Sequence, residues 1–320
     1  MKKAFTFLLL TSIFHFASAQ LVLTANNNPH TAPYEDIREI VEINIPAPQE
    51  GSNIVYDYSS LVAVDQDMIP YIPATREGFT DYDRFSYGFS SLGPVPLYSE
   101  YYTLKTAAGI QRTGSYKLPQ NLSLELFTGS NLDSLIFPGN SEIFEDPVFD
   151  IQYPAAYASS WASDYTFTTN FNITVAAFGL NQVPGYQFQT VEFTMDVVGS
   201  GTLILPTLEG PSEPFDVLVF KDSRVMTDTI YLGGALAPAP LLDAFGLTQG
   251  QEYAQNRYFF YTENQERPLM VLNMSDDWLT VERCFFASEG ITNSVATVEN
   301  ATFAKPFPNP VRQNEAVVFT

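Results

Sequence analysis

From about residue 50 onward, apolar and polar residues alternate with a period of two. Phe85, Tyr87 and Phe89 fall on one face of an extended chain, and Arg84, Ser86, Gly88 and Ser90 on the other. Tyr165, Phe167, Phe171, Ile173 and Val175 alternate with Thr and Asn, and Val191, Phe193, Met195 and Val197 alternate with Glu192, Thr194 and Asp196. Such segments suit a sheet with one face on a core and the other in water. Further strands are predicted at Leu122–Phe127, Leu203–Leu205, Val217–Phe220, Tyr258–Thr262, Leu269–Met274 and Val281–Phe286. Turn residues separate them at Gly199-Ser200-Gly201, Gly210-Pro211, Pro138-Gly139-Asn140, Asn264-Gln265 and Asp276-Asp277. One short helix is predicted at 240–245, ahead of Gly246. Many short strands with close turns predict an all-β fold: an antiparallel β-sandwich or a wide, partly open barrel, with at most one or two short helices.

The two ends read differently. Lys2 and Lys3 precede an apolar run from Ala4 to Phe16, followed by Ala17-Ser18-Ala19 before Gln20. A basic start, a short apolar run and small residues at a cleavage site predict a secretory signal over 1–19, cut between Ala19 and Gln20. No later segment reaches 18 apolar residues, so no transmembrane helix is expected in the mature chain. The β-rich body is expected over 20–298, with a possible sub-boundary near 155–164. Residues 299–320 read as a linker and a rigid Pro308-Asn309-Pro310 turn entering one strand, Ala316-Val317-Val318-Phe319.

Phe307-Pro308-Asn309-Pro310 after a Val-containing linker resembles the opening of the type A sorting domain of the Bacteroidota type IX secretion system, here as a truncated start. The resemblance implies passage through the periplasm, the type IX machinery as partner, and a location outside the cell or on its surface. The body resembles flavobacterial secreted proteins of unknown function, through Tyr56-Asp57-Tyr58-Ser59-Ser60-Leu61, Gly201-Thr202-Leu203-Ile204-Leu205-Pro206 and Phe215-Asp216-Val217-Leu218-Val219-Phe220-Lys221. That likeness implies a β-rich surface cargo and brings no catalytic residues.

Composition narrows the chemistry. The chain has 320 residues, 15 Lys+Arg, 36 Asp+Glu and a formal charge of −21. Such an acidic chain is repelled by nucleic acid. One cysteine, Cys284, allows no internal disulfide, and it is expected to be a buried small hydrophobe. Of the two histidines, His15 lies in the signal, which leaves His30 alone in the body. No cofactor is expected, apart from calcium at paired acids.

Asp81 and Asp83, at i and i+2, share a face of an extended chain, as calcium ligation or a carboxylate pair requires; a polar turn ahead of the Phe85 strand needs the same residues. Asp65 and Asp67 repeat the spacing. Asp276, Asp277 and Trp278 place acids beside an aromatic, as a sugar site does, although a Trp after a turn also serves as a strand-start core residue. Tyr101 belongs to the aromatic group Tyr98, Tyr101 and Tyr102. Two functional expectations follow. The first is an exported non-enzymatic structural, adhesive or binding module. The second is a carbohydrate-binding or carbohydrate-active protein using Asp, Glu and surface aromatics.

Overall fold

The computed structural model describes residues 20–41, 45–93 and 95–287. The expected signal segment with Ala19, and the Pro308-Asn309-Pro310 motif, lie outside the described residues. In chain order the strands are β1 (Tyr34–Val41), β2 (Gly51–Asp57), β3 (Ala63–Pro73), β4 (Arg84–Leu92), β5 (Val95–Thr106) and β6 (Gly109–Lys117). Then come β7 (Gln120–Ser123), β8 (Ser134–Phe137), β9 (Asn140–Gln152), β10 (Ser160–Val175), β11 (Leu180–Ile204), β12 (Pro206–Thr207) and β13 (Gly210–Pro211). Last are β14 (Phe215–Leu232), β15 (Ala235–Leu236), β16 (Gln251–Tyr261), β17 (Met270–Met274) and β18 (Val281–Ala287). Two short helices, α1 (Glu125–Thr128) and α2 (Ala239–Ala244), accompany them.

One sheet runs in the order β7-β8-β10-β11-β14-β16-β17-β18-β1-β3-β4-β5-β6-β9. Its neighbours pair antiparallel; among the described residues only β2 joins in parallel, beside β11. The sheet curls until β9 meets β10. There Asn140 Nδ2 donates to Thr168 O at 3.2 Å, Thr168 N donates to Glu142 Oε1 at 2.7 Å, and Trp161 Nε1 donates to Phe149 O at 2.8 Å. Side chains rather than a backbone ladder close this seam, so the described sheet forms a wide, partly open barrel. Residues 153–159 join β9 to β10, and 160–164 are the first residues of β10, within that sheet.

The alternation in β10 and β11 does what its period requires. Val191, Phe193, Met195 and Val197 are each at most 2% exposed and pack with Trp161, Tyr165 and Phe220 inside the barrel. Further cores lie elsewhere. Phe79 stacks on Tyr102 at 3.9 Å, over Phe85. Leu241 and Leu242 of α2 pack with Phe171, Ile173 and Ile230. Cys284 is buried, and burial pushes its thiol up to about 12.

Two local expectations change. Gly199-Ser200-Gly201 is not a turn but lies inside β11, where the register shifts between Val197 and Gly199. The glycines serve close approach: a Cβ on Gly201 would lie 1.9 Å from Ile54 O of β2. The strand expected over Leu122–Phe127 stops at Ser123, because the chain turns into α1 and ends that helix at Gly129 with φ 74°. The helix expected at 240–245 corresponds to α2, with Gly246 at φ 65° following it. Among the described residues no helix is long and apolar enough to cross a membrane.

Candidate functional site

The barrel interior is only partly filled. A cleft of about 450 Å³ falls within the ~300–1,000 Å³ usual for small-ligand sites. Strand register sets what faces it. Along β14 the inward residues Asp222, Arg224, Met226 and Asp228 lie opposite Arg257, Gln255, Tyr253 and Gln251 of β16. On the facing wall, Arg84, Ser86 and Gly88 of β4 lie opposite Thr103, Tyr101 and Ser99 of β5. Lining residues from both walls give the cleft a guanidinium end at Arg84, Arg112, Arg224 and Arg267, and an amide and phenol end at Gln189, Tyr253 and Tyr101.

At the guanidinium end, charges link in a chain. Asp36 takes Nε and Nη2 of Arg38 at 2.6 and 2.9 Å, and Arg267 Nε lies 3.6 Å from Asp36 Oδ2. Arg84 Nη1 donates to Glu266 Oε2 at 2.9 Å and to Thr31 O at 2.7 Å. Arg112 Nη2 donates to Asp150 Oδ1 at 2.9 Å. Asp222 holds Arg224 in a bidentate pair and Arg257 through both Nε and Nη2. The guanidiniums of Arg84 and Arg267 lie 4.3 and 4.9 Å from the centroid of the Tyr71 ring. Six arginines (38, 84, 112, 224, 257 and 267) therefore meet four carboxylates (Asp36, Asp150, Asp222 and Glu266), two positive charges in excess.

His30 belongs to this end. Its ring is buried, with Nε2 3.0 Å from Thr103 Oγ1 and 3.9 Å from Asp83 Oδ2. Burial, and then the charges of Arg84, Arg267 and Lys105, push its pKa down to about 2, so the imidazole is neutral and adds no charge.

At the other end, Gln187 and Gln189 donate to Asp228 at 2.7 and 2.8 Å, and Gln189 also meets the Tyr253 hydroxyl. Burial raises the Asp228 pKa despite these bonds. Nearby, Lys117 Nζ lies 4.8 Å from the Phe167 centroid and 5.9 Å from that of Tyr101. Glu142 Oε2 is sealed in without a partner, and burial raises this carboxyl to about 7. The folded form therefore keeps a proton between about pH 4.5 and 7 that the unfolded chain has lost, and stability falls as pH rises through that window. Glu142→Gln keeps an acceptor for Thr168 N and removes the titration. Urea melts at pH 5 and pH 8 are expected to show the variant gaining about 1–3 kcal/mol on the wild type over that span; equal pH slopes would contradict the assignment.

The residues singled out from sequence fall in separate places. Tyr101 lines the cleft. Asp81 and Asp83 sit in the turn before β4, where Asp83 Oδ2 accepts the Lys105 amide at 2.6 Å. Asp276, Asp277 and Trp278 form the β17–β18 turn. In that turn Asp277 Oδ1 accepts Ser275 Oγ and the Leu279 amide, and Trp278 is set edge-on to Tyr258 at 5.1 Å. Asp65 and Asp67 are exposed on β3, and Gln20 donates to Ser200 Oγ at 3.0 Å. Among the described residues no three His, Cys, Asp or Glu side chains group as metal ligands.

The arginine cluster escaped the sequence reading. Its trace is Asp36-Ile37-Arg38 and Asp222-Ser223-Arg224, opposite charges two apart within strands, hence on one face. Turn acids have no such partner in phase. Comparison with known proteins finds no matching family model, no matching curated protein and no matching solved structure.

Proposed function

We propose that the protein is an exported, non-enzymatic binding module that holds a small anionic ligand in its barrel interior. The observation that carries this reading is the excess of two guanidiniums around the cleft, in a chain whose net charge is −21. Uncompensated charge out of bulk water costs several kcal/mol per ion, and a bound anion removes that cost while accepting directional guanidinium hydrogen bonds. Arg267 is the best placed donor. About a third of its side chain (32%) remains accessible, and its one ion pair, with Asp36, spans 3.6 Å. The non-enzymatic part is supported by His30, whose Nε2 is engaged with Thr103 and whose unpartnered Nδ1 is buried, and by Glu142, whose free oxygen is sealed away. Export and a surface location rest on the terminal signals.

The test is thermal unfolding with citrate and with sulfate, at low ionic strength. Citrate is expected to raise the melting temperature of the wild type. Arg267→Gln should be at least as stable without ligand, because one surplus charge is gone, and should bind citrate tenfold or more weakly, a loss of about 1.4 kcal/mol or more. Equal stabilisation of both proteins by citrate would overturn the reading.

A further inference from the structure

The cleft is longer than a simple anion needs. Arg84 and Gly88, which both line it, lie four residues apart on β4, which along a strand is about 13 Å. A sulfate or acetate at the guanidinium end would leave the rest of that length empty. What lines the remainder is neither purely apolar nor self-satisfied. Among the described residues, the side chains of Gln255, Ser86 and Ser91 line the cleft without a hydrogen-bond partner. Aromatic faces alternate with them: Tyr165, Phe167 and Tyr253 along the walls, and Phe89, which lines the cleft yet is 75% exposed, at its mouth.

On this basis, and resting on the anion-binding reading above, we infer that the ligand is a sugar acid of at least two rings. Its carboxylate sits at Arg267 and Arg112, its hydroxyls meet Gln255 and Ser86, and its body lies along the aromatic faces toward Phe89. A planar carboxylate matches the fork of a guanidinium. A hydroxyl-bearing body is favoured over an aromatic or aliphatic acid, since a purely apolar body would displace water from Gln255, Ser86 and Ser91 and leave those groups unpaired. The ring faces of a saccharide, apolar on one side and hydroxylated at the edge, suit walls in which tyrosines alternate with amides.

Titration calorimetry with four probes tests this: digalacturonic acid, the neutral disaccharide cellobiose, acetate and sulfate. Digalacturonic acid is expected to bind at least tenfold tighter than the other three. Arg267→Gln should weaken it tenfold or more, while Gln255→Ala and Phe89→Ala should each weaken it about three- to tenfold and leave sulfate binding unchanged. Phe89 is on the surface, so its variant reports even if a change at Gln255 disturbs folding. Sulfate or acetate binding as tightly as the diuronate, with no effect of Gln255→Ala or Phe89→Ala, would overturn the sugar-acid inference and leave the anion-binding reading standing. Tight binding of cellobiose, undisturbed by Arg267→Gln, would overturn both. So would the absence of any binding.

Discussion

Asp222→Asn is expected to cost about 3–5 kcal/mol of folding stability, the range for breaking a buried ion pair from one side. Asp222 is fully buried on β14 and accepts from Arg224 at 2.9 and 3.0 Å and from Arg257 Nε at 3.1 Å. Burial alone would raise its pKa; the guanidiniums of Arg224 and Arg257 outweigh burial and hold the carboxyl below the usual range. Asparagine keeps the shape and loses the charge. Two buried guanidiniums would then have no anion, in a cluster that already carries positive charge in excess. Urea unfolding at pH 7 measures the loss. The sign of the pH dependence follows from the depressed pKa. Asp222 contributes its stability above the unfolded carboxyl's value of ~3.9, and that contribution fades as pH falls toward the folded value. The gap between wild type and variant should therefore close in acid. Replacing all three residues (Asp222→Leu, Arg224→Met, Arg257→Met) should cost far less than the single change, since no charge is left unpaired. Citrate should restore part of the lost stability of Asp222→Asn, because the anion supplies the missing charge. A loss under ~1 kcal/mol would mean that water, not Asp222, screens these guanidiniums.

Gly114→Ala should destabilise the protein by about 3 kcal/mol, at the upper end of overpacking costs. Gly114 sits on β6, opposite Ile143 of β9, where the register shifts after Arg112. An added Cβ would lie 2.2 Å from Glu142 O and 3.1 Å from Ile143 Cα. Both are backbone atoms, which cannot rotate aside as a side chain would, so β9 has to move. That strand carries Asp150 of the cleft and the Glu142 and Phe149 contacts that close the seam on β10. Amide hydrogen exchange should accelerate across residues 140–152 while β11 and β14, paired on both sides, keep their protection. Uniform acceleration over the whole sheet would show that the seam is not a separate unit.

How far the sequence could be read depended on which step was local. The strand segments were legible because alternation is a property of a few consecutive residues. So were the α2 helix with Gly246 behind it and the Asp276-Asp277 turn. Gly199-Ser200-Gly201 misled for a physical reason: glycine marks a turn when the chain must bend and a crossing when another backbone must come close, and the residues look alike until β2 is placed beside β11. The candidate acids failed to converge on the cleft for a related reason. Spacing of i and i+2 puts two carboxylates on one face, and says nothing about what the face meets. Asp81, Asp83, Asp276 and Asp277 all occupy turns, while Tyr101 was carried into the cleft by the register of β4 with β5.

The sequence by itself determined the strand period, the all-β class and the two faces of each strand, because side chains alternate whatever the strand pairs with. It also determined a large negative charge with few basic groups. Only the tertiary structure decided which face is inside. Strand β4 shows this most plainly. Its aromatic residue Phe85 packs in the small core with Phe79 and Tyr102, while Arg84, Ser86 and Gly88, which read as a solvent face, line the interior cleft. In a curled sheet the polar face can meet water inside as well as outside. Six arginines from five strands and the Glu266–Arg267 loop thus come together through pairings between residues up to 231 positions apart, as Arg38 and Arg267 of the same charge chain illustrate through Asp36. No local pattern encodes that convergence, since it exists only once the sheet has closed β9 onto β10.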